Sequence, residues 1–576
     1  MIFGKNVNKY YLKYWYFFLL GILALVAVDY FQLLLPKVTG QIIDGLKDST
    51  LTESSLQTIL YTLLAVLVVM FVGRFTWRVC IFGCSARIEA NMRRDMFYYS
   101  ENLSQKYYNE NKTGALMALY TNDLFTIKDA FGMGTVMLID AVVLGGLAFT
   151  FMFQLNWKLT LLSSIPLLAL AASGGVIGKF MDAKWDERQK AFEDLSDFTQ
   201  ENFSGISVVK AFVKEALELR EFRKINKNNV DKNVAFARYS TILDICVTIF
   251  ISSIGAIILG YGGYIVYKGD LSVGELATFF AYFGSLTWPM MAIAQLINMH
   301  SQASASLKRI NAMMNEPIEI KDINSIKANI EGAISFKNFS FTYPNAKTKA
   351  LDNISFDIKK GEMVGIIGKT GCGKTTLVNS ILRIYNIDKH SIFLDGNDIM
   401  DLKFKKVRDA IGYVPQDNFL FSATVNKNIG FSGDYSDEEI KKAAIFSDVD
   451  ENIMEFKDQY ETMVGERGVT LSGGQKQRIS IARAIIKDPK ILILDDSVSA
   501  VDTKTEETII KNLKESRKNK TTILIAHRIS TVKDLDKILL LDEGKIVDYG
   551  THDELMSRCS LYKEMFDLQR LEDEVK

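Results

Sequence analysis

An eight-residue, glycine-rich motif in the C-terminal half of the chain has the residue types and spacing of a phosphate-binding loop. Residues 368–375 read Gly-Lys-Thr-Gly-Cys-Gly-Lys-Thr and fit the pattern G-x-x-x-x-G-K-[ST]. The apolar run 363–367 precedes the motif, and the helix-like run 376–382 follows it. The glycines let backbone N–H groups wrap around phosphate oxygens, and the helix N-terminus adds positive potential. The motif therefore predicts a nucleotide site between a strand and a helix.

An apolar strand that ends in an acid supplies a second part of the predicted site. Residues 491–494 are all apolar and run into Asp495, which is the pattern of a buried strand that presents a carboxylate to magnesium. Lys374 is expected to reach the β- and γ-phosphates, and Thr375 is expected to ligate Mg²⁺ together with Asp495. The two motifs together predict Mg²⁺-dependent nucleotide chemistry.

With a third motif, the chain resembles the ATP-binding-cassette (ABC) transporter family over its whole length. This motif is Leu471-Ser472-Gly473-Gly474-Gln475, and it lies between the other two. The resemblance implies ATP as the nucleotide, Tyr343 as the aromatic residue that stacks on adenine, and His527 as the residue that senses the γ-phosphate. It also implies that Gln416 contacts magnesium and water, and that the loop 499–502 crosses a dimer interface. The residues predicted to bind ATP are Tyr343, Gly368, Lys369, Thr370, Gly371, Cys372, Gly373, Lys374, Thr375, Thr376, Ser472, Gly473, Gly474 and Gln475, and the predicted metal ligands are Thr375, Gln416 and Asp495.

The third motif also has a consequence for the assembly. Its serine and glycines lead into a predicted helix over 475–484, which gives the domain a second helix N-terminus suited to anions. In the family, this signature motif faces the phosphates bound by a partner cassette, so that two cassettes close over two nucleotides. Because the chain has one cassette, the resemblance implies a second half-transporter subunit as its partner.

The residue after Asp495 departs from the family pattern. Fully active members carry a glutamate there, which polarises the attacking water, whereas this chain has Asp496. The side chain is one methylene shorter, so its carboxylate is withdrawn by about 1 Å, and misplacement on that scale can cost roughly 100-fold in rate. One interpretation is that Asp496 still acts as a base, but a slow one, in a homodimer. The other is that this chain is the degenerate half of a heterodimeric exporter, and that its signature motif completes the competent ATP site of the partner. The predicted catalytic residues are Asp496, His527 and Gln416.

Six apolar runs in the N-terminal half have the length needed to cross a bilayer, about 20 residues. The predicted spans are 15–36, 56–82, 133–155, 158–178, 241–267 and 273–299. Lysine and arginine are concentrated in the N-terminal tail and in the two long segments after spans two and four. The positive-inside rule therefore places the tail, both segments and the C-terminal half in the cytoplasm of a plasma-membrane protein.

These observations predict a multi-domain fold. It consists of a six-helix all-α transmembrane domain over 1–316, a linker over 317–331 and an α/β P-loop ATPase domain over 332–576. The 68 Lys and Arg residues balance the 68 Asp and Glu residues, so the net charge gives no indication of a nucleic-acid partner. The five cysteines lack zinc-finger spacing, and we expect no metal or redox site among them.

The two long cytoplasmic segments are predicted to connect the domains. By resemblance to exporters of this type, a short helix near Tyr107–Gly114 and another near Asn202–Phe212 dock on cassettes, the second on the cassette of the partner. The alternative is that each segment ends in a solvated helical hairpin.

Acids within the spans give one faint indication of a substrate. Charges inside a membrane are costly and tend to face cavities or partners, and Asp29, Asp140 and Asp244 are such acids. One hypothesis is that Asp140, with Asp29, attracts cationic amphiphiles. The alternative is structural pairing with Arg74 or Arg78 on span two, or a position near the water boundary, as for Asp244. Four aromatic residues on span six either line a lipophilic pocket or face lipid and neighbouring helices, namely Phe279, Phe280, Phe283 and Trp288.

The predicted function is ATP-driven export of lipophilic or amphipathic small molecules across the lipid bilayer by alternating access. The alternatives are a homodimeric exporter of a lipid or peptide, and an ATP-gated channel or sensor, which impaired hydrolysis keeps open. An importer is disfavoured, because importer cassettes are usually chains separate from their membrane subunits.

Overall fold

The chain folds into two compact units. The computed structural model describes residues 5–322, 326, 328–465, 471–498 and 501–575. The N-terminal unit contains the residues up to Phe97 together with Met117–Met314, and the C-terminal unit contains Tyr98–Leu116 and the residues from Asn315 onward. The segment Tyr98–Leu116 thus belongs to the C-terminal unit, although it lies within the predicted transmembrane domain over 1–316. The bounds of the linker over 317–331 stay a prediction, since parts of it lie outside the described residues.

Long helices make up the N-terminal unit. The helices before the first strand are α1 Lys5–Lys47, α2 Glu53–Glu101, α3 Gln105–Glu110, α4 Thr113–Ala118, α5 Leu124–Ile139, α6 Gly145–Leu155, α7 Trp157–Ser204, α8 Ile206–Ala211, α9 Glu215–Lys268 and α10 Val273–Asn315. Two π-helical turns, Leu119–Asp123 and Asp140–Leu144, join α4 to α5 and α5 to α6. Helices α7 and α9 pack against each other, as is expected of two antiparallel helices that both extend beyond the membrane.

The predicted spans all lie in these helices. Five helical stretches are long and apolar enough to cross a membrane among the described residues, and they contain the first, second, third, fifth and sixth predicted spans. The fourth span lies in α7, whose described apolar part is Trp157–Leu170. Two short connections between spans have clear helix ends. At the start of α7, the Asn156 side chain accepts a hydrogen bond from the Leu159 N–H, and α9 ends at Gly269, whose φ is +84°. Each of the five stretches, and helix α7 as a whole, exceeds the roughly 20 residues that a bilayer requires.

The C-terminal unit is an α/β domain with two sheets. Its strands are β1 Ile334–Phe341, β2 Leu351–Ile358, β3 Met363–Ile367, β4 Ile392–Leu394, β5 Asn397–Asp398, β6 Ile411–Val414, β7 Ile491–Asp495, β8 Thr521–Ile525, β9 Lys537–Asp542 and β10 Lys545–Gly550. Its helices are α11 Lys374–Ile381, α12 Phe404–Ala410, α13 Val425–Ile429, α14 Asp437–Phe446, α15 Asp450–Met454, α16 Gly473–Ile485, α17 Thr503–Ser516, α18 Ile529–Val532, α19 His552–Arg558 and α20 Ser560–Val575. One sheet has the order β2-β1-β4-β5, and the other has the order β10-β9-β3-β8-β7-β6.

The six-stranded sheet has both of its faces covered. Strands β9, β3, β8, β7 and β6 are parallel, and β10 pairs with β9 in the antiparallel sense. Alternate residues of β7 enter two different cores: Ile491 and Ile493 face the core shared with the smaller sheet, and Leu492 and Leu494 face the core on the helical side. A strand buried on both faces reads as a continuous apolar run, which explains why β3 and β7 were recognisable in the sequence.

Candidate nucleotide site

Four loops meet where the parallel strands end. The loop 368–373 follows β3, Gln416 follows β6, Asp496 follows β7 and His527 follows β8. Because the carboxyl ends of parallel strands lie at one edge of the sheet, ligands bind in the crevice beyond them. The residues lining a common pocket at this edge are Tyr343, Ala350, Thr370, Gly371, Gly373, Lys374, Thr375, Thr376, Gln416, Asp495, Asp496, Ile525 and His527.

The glycine-rich loop has a backbone conformation that needs its glycines. Gly371 and Gly373 have φ values of +84° and +105°, a region that other residues rarely adopt. A Cβ on Gly368 would lie 2.1 Å from the carbonyl oxygen of Leu541 and 2.7 Å from the Cys372 Sγ. Lys374 is buried, and its ammonium donates to the carbonyl oxygens of Gly368 and Lys369 at 2.8 and 3.0 Å. Burial raises the pKa of the Cys372 thiol.

The predicted metal ligands come together in this pocket. The Thr375 hydroxyl donates to Oδ1 of Asp495 at 3.2 Å, although the two residues are 120 positions apart. Oδ2 of Asp495 is buried and accepts no hydrogen bond from the described residues. A buried carboxylate oxygen beside a threonine hydroxyl is a donor set that suits Mg²⁺. Burial is also the main reason that the pKa of Asp495 is raised.

Asp496 occupies a backbone position that is fixed at both ends. Its φ is +48°, which is uncommon for a residue with a side chain. Its N–H donates to the carbonyl of Ile525 at 3.1 Å, and its own carbonyl accepts from the Gln477 side chain at 3.1 Å. The carboxylate faces His527, whose Nε2 lies 3.6 Å from the Asp496 Oδ2. Asp496 and His527 therefore form one wall of the pocket, and an inward shift of the Asp496 backbone would disrupt two hydrogen bonds.

Tyr343 also lines the pocket and is held by three neighbours. Its hydroxyl is 2.8 Å from the Thr376 hydroxyl, which places it against the first turn of α11. Its ring meets the rings of Phe341 and Tyr385 edge to face, with centroids 5.1 and 5.5 Å apart. Such pairs contribute about 0.5–1.5 kcal/mol each beyond burial. Tyr343 was predicted from its sequence motif, whereas no motif in the sequence pointed to Tyr385.

The signature motif lies elsewhere on the unit. Ser472 caps α16: its hydroxyl accepts from the Gln475 N–H at 3.2 Å, and the Gln475 side chain accepts from the Ser472 N–H at 3.0 Å. Ser472 and Gly473 are exposed, while Leu471 anchors the motif in a small core. None of the residues Leu471–Gln475, all of which the structure describes, lines the nucleotide pocket. Of the loop 499–502, Ser499 and Ala500 lie outside the described residues, and Asp502 caps α17.

The first cytoplasmic segment docks on the C-terminal unit beside Tyr343. The Asn109 side chain donates to the Tyr385 hydroxyl at 3.1 Å, and the Asn345 side chain donates to Glu110 at 2.8 Å. Lys106 also lies 3.5 Å from Glu319. The prediction of a docking helix near Tyr107–Gly114 is therefore confirmed, with the helix itself at Gln105–Glu110. Asn109, Tyr385, Tyr343 and Thr376 form an unbroken series of contacts from this helix to α11.

The second cytoplasmic segment ends in an exposed apolar tip. Helix α7 ends at Ser204, and α8 follows over Ile206–Ala211. Four large apolar side chains around α8 are strongly exposed, namely Phe203, Val208, Phe212 and Val213. A short helix is present where the sequence predicted one. Its docking on a partner stays a prediction.

Known proteins resemble the chain over nearly its full length. Residues 18–290 match the family described as ABC transporter transmembrane region, and residues 351–499 match the family described as ABC transporter. The chain is 37% identical, over 98% of its length and 97% of the relative's, to the probable multidrug resistance ABC transporter ATP-binding/permease protein YheI of Bacillus subtilis. It is 34% identical, over 98% and 96%, to the multidrug resistance-like ATP-binding protein MdlA of Escherichia coli. Among solved structures, a bacterial Atm1-family ABC exporter with ATP bound has a TM-score of 0.78 and 25% identity, covering 95% of this chain and 98% of that one.

Proposed function

Since the chain belongs to the ABC transporter family, we propose that it exports lipophilic or amphipathic small molecules as one subunit of a heterodimer with one impaired ATP site. Membership establishes the general part of this statement: the chain is a membrane-spanning exporter of multidrug type, with a C-terminal ATPase domain, in the plasma membrane. The cargo, the heterodimer and the impaired site are the proposed part.

The nucleotide pocket supports roles for the predicted residues. The glycine-rich loop and Lys374 bind the phosphates of ATP, and Tyr343 stacks on the adenine. Thr375, Asp495 and Gln416 would hold a magnesium ion, which when bound would neutralise phosphate charge. Oδ2 of Asp495, buried and without a hydrogen-bond donor among the described residues, is the atom that best fits this role.

The position of Asp496 is the observation that carries the proposal of an impaired site. A base that orients the attacking water must reach it at hydrogen-bond distance. The two backbone hydrogen bonds of Asp496 oppose a main-chain shift that would compensate for the shorter side chain. Its carboxylate faces His527 at 3.6 Å. This pocket therefore binds ATP and turns it over slowly.

The exposed signature motif supports the requirement for a second cassette. Ser472 and Gly473 present a helix N-terminus to solvent, outside the pocket of their own chain, and such an end suits an anion brought by another subunit. Two cassettes arranged head to tail would place this intact signature on the nucleotide of the partner. The competent site of the pair is then built from the partner's phosphate loop and this chain's signature.

Two exposed apolar surfaces support a partner that interlocks with the chain. One is the exposed apolar tip around α8, which consists of Phe203, Val208, Phe212 and Val213. The other is an aromatic patch formed by Phe419, Phe421 and Phe431. The rings of Phe421 and Phe431 stack on each other and both contact the guanidinium of Arg483, and Phe419 meets Phe421 edge to face. Burial lowers the pKa of Arg483 to about 10. We assign the tip to the partner's cassette and the patch to the partner's corresponding helix.

Reconstitution with and without a partner tests the assembly. The chain and each candidate half-transporter would be reconstituted in lipid, alone and together, and ATP turnover and uptake into inverted vesicles would be measured. Fast ATP turnover by the pair and slow turnover by the lone chain would support the heterodimer. Ordinary turnover by the lone chain as a dimer would instead support a homodimeric exporter in which Asp496 is a working base. ATP binding without vectorial transport would favour the channel or sensor alternative, which slow hydrolysis keeps open.

A further inference from the structure

A side-chain amide from a distant helix holds the backbone around His527. Gln569, on α20, donates from its Nε2 to the carbonyl oxygen of His527 at 2.7 Å. Its Oε1 accepts from the N–H of Ile529 at 2.8 Å. The two backbone groups lie 42 and 40 positions before the glutamine in the chain. Both contacts have the length of ordinary, well-formed hydrogen bonds.

The segment that carries His527 is a place where the backbone needs such support. Strand β8 ends at Ile525 and α18 begins at Ile529, so His527 lies in the bend between a strand and a helix. The first N–H groups of a helix have no partner within that helix, and the side chain of Arg528 does not cap α18. Gln569 supplies the missing acceptor from elsewhere and also satisfies the His527 carbonyl. One planar amide thereby fixes the peptide groups on both sides of Arg528.

Gln569 is itself held on a packed face of α20. Tyr562, Phe566 and Gln569 are spaced by four and three residues, which places them on one face of the helix. Tyr562 is fully buried in the core on the helical side of the large sheet, and its hydroxyl is 2.9 Å from Nδ1 of His552. The His552 ring also meets the Phe566 ring, with centroids 5.4 Å apart. The amide of Gln569 is therefore presented by a rigid element, as precise positioning of a neighbour requires.

The other residue of the pocket wall is held in the same manner. The side-chain amide of Gln477, on α16, donates to the carbonyl of Asp496 at 3.1 Å. Nε2 of His527 lies 3.6 Å from the Asp496 carboxylate across the wall. Glutamine amides from two different helices thus set the relative position of these two wall residues.

We propose that Gln569 is a positioning residue for His527, which it holds where the imidazole meets the γ-phosphate of bound ATP. Gln569 lies among the described residues but does not line the nucleotide pocket, so it acts through His527 rather than on the nucleotide. The inference rests on the proposed nucleotide pocket, to which it adds the residue that sets the position of the histidine. The preference of this pocket for a triphosphate over a diphosphate then depends on Gln569.

The test compares a nucleotide that has a γ-phosphate with one that lacks it. The full-length chain in lipid nanodiscs would be titrated, with Mg²⁺ present, with ADP and with AMP-PNP, a hydrolysis-resistant analogue of ATP. The Kd for ADP divided by the Kd for AMP-PNP measures the triphosphate preference. His527→Ala is the reference variant and should lower this preference by about 10-fold, on the scale of one hydrogen bond to a charged group.

Two substitutions at Gln569 separate the support of His527 from the cap on α18. Gln569→Met keeps the approximate length of the side chain and removes both hydrogen bonds. Gln569→Glu keeps an acceptor for the Ile529 N–H but places a second oxygen against the His527 carbonyl. Each variant should lower the triphosphate preference by about 5- to 10-fold and leave ADP affinity within about twofold of the wild type. Leu568→Ala is the control, because Leu568 is an exposed residue of the same helix, and it should keep the wild-type preference.

A double-mutant cycle checks that Gln569 acts through His527. In the His527→Ala background, Gln569→Met should change the triphosphate preference by no more than about twofold, because the side chain that it positions is absent. An equal effect of Gln569→Met in the presence and absence of the histidine would overturn the proposal.

Wild-type preference in Gln569→Glu would also overturn the proposal, since the amide would then serve only as a cap for α18. Equal loss of ADP and AMP-PNP in the Gln569 variants would overturn it because the glutamine would then be structural. If His527→Ala kept the full preference, the proposed role of His527 in the pocket would be wrong, and the inference would fail with it. A reduced preference in His527→Ala together with wild-type preference in both Gln569 variants would refute the positioning role alone.

Discussion

His527 Nε2 lies 3.6 Å from Oδ2 of Asp496, so the two side chains form a single wall of the nucleotide pocket. The Asp496 side chain is 14% exposed and the His527 side chain 37% exposed, so the carboxylate is the more deeply buried of the two. The backbone of Asp496 is held by Ile525 on one side and by Gln477 on the other. Side-chain length is therefore the variable that decides how far this carboxylate reaches.

Gly473→Asp should impair the ATP site on the partner and leave the ATP site of this chain unaffected. A Cβ at Gly473 meets no atom within 4 Å, and an acid in the first turn of α16 favours the helix by about 0.3–1 kcal/mol. The variant should fold and bind ATP in its own pocket as the wild type does. ATP turnover by the reconstituted pair should nevertheless fall by about 100-fold or more, because the new carboxylate repels the nucleotide of the partner.

Gly473→Ala is the matched control and should retain most of the turnover. If Gly473→Asp instead weakened ATP binding to the lone chain, the signature would act on its own pocket, and the proposed head-to-tail arrangement would be wrong.

Tyr385→Phe should weaken coupling without weakening ATP binding. The substitution removes the hydroxyl that accepts from Asn109 but keeps the ring that packs on Tyr343. ATP affinity should stay within about twofold, while stimulation of ATP turnover by cargo should fall several-fold. Nucleotide titration and cargo-stimulated turnover of the reconstituted pair measure the two effects separately.

Two further variants complete this comparison. Asn109→Ala should weaken cargo stimulation of ATP turnover as Tyr385→Phe does, because it removes the other partner of the same hydrogen bond. Tyr385→Ala should in addition lower ATP affinity by about 2–10-fold, since the aromatic pair contributes about 0.5–1.5 kcal/mol. Identical behaviour of Tyr385→Phe and Tyr385→Ala would show that the hydroxyl has no role in coupling.

Two glycines of the phosphate loop should respond differently to alanine. At Gly368 a Cβ would lie 2.1 Å from the carbonyl oxygen of Leu541, so Gly368→Ala must displace backbone. At Gly371 the Cβ meets nothing within 4 Å, and the penalty is that of a φ of +84°, about 1–2 kcal/mol. Denaturant unfolding should show the larger loss for Gly368→Ala. Equal losses would mean that the close approach to Leu541 is not what requires glycine.

The sequence was sufficient wherever a local pattern determines the structure. The apolar strand before residue 368, the strand that ends in Asp495 and the helix that follows Ser472 all follow from neighbouring residues, and the structure has all three. The spans were recognisable for the same reason, because length and apolar composition decide whether a helix crosses a membrane.

Contacts between distant residues could not be predicted from such patterns. Asp140 bonds to Trp288, 148 positions away, and Asn109 bonds to Tyr385, 276 positions away. A helix that is apolar all round leaves its rotation undetermined, so the sequence could not decide whether Asp140 faces Arg74 or span six. The π-helical turn at Asp140–Leu144 also changes the helix register there, and it has no sequence signal that we recognise.

ATP turnover of the purified chain in lipid, with and without Asp496→Glu, tests the central claim most directly. We predict slow turnover by the lone wild-type chain and an increase of about 10- to 100-fold with glutamate, because the added methylene returns the carboxylate to the reach that orients water. ATP affinity should be the same in both. Fast turnover by the wild-type chain, or no gain with glutamate in a protein that still binds ATP and dimerises, would contradict the assignment of an impaired site.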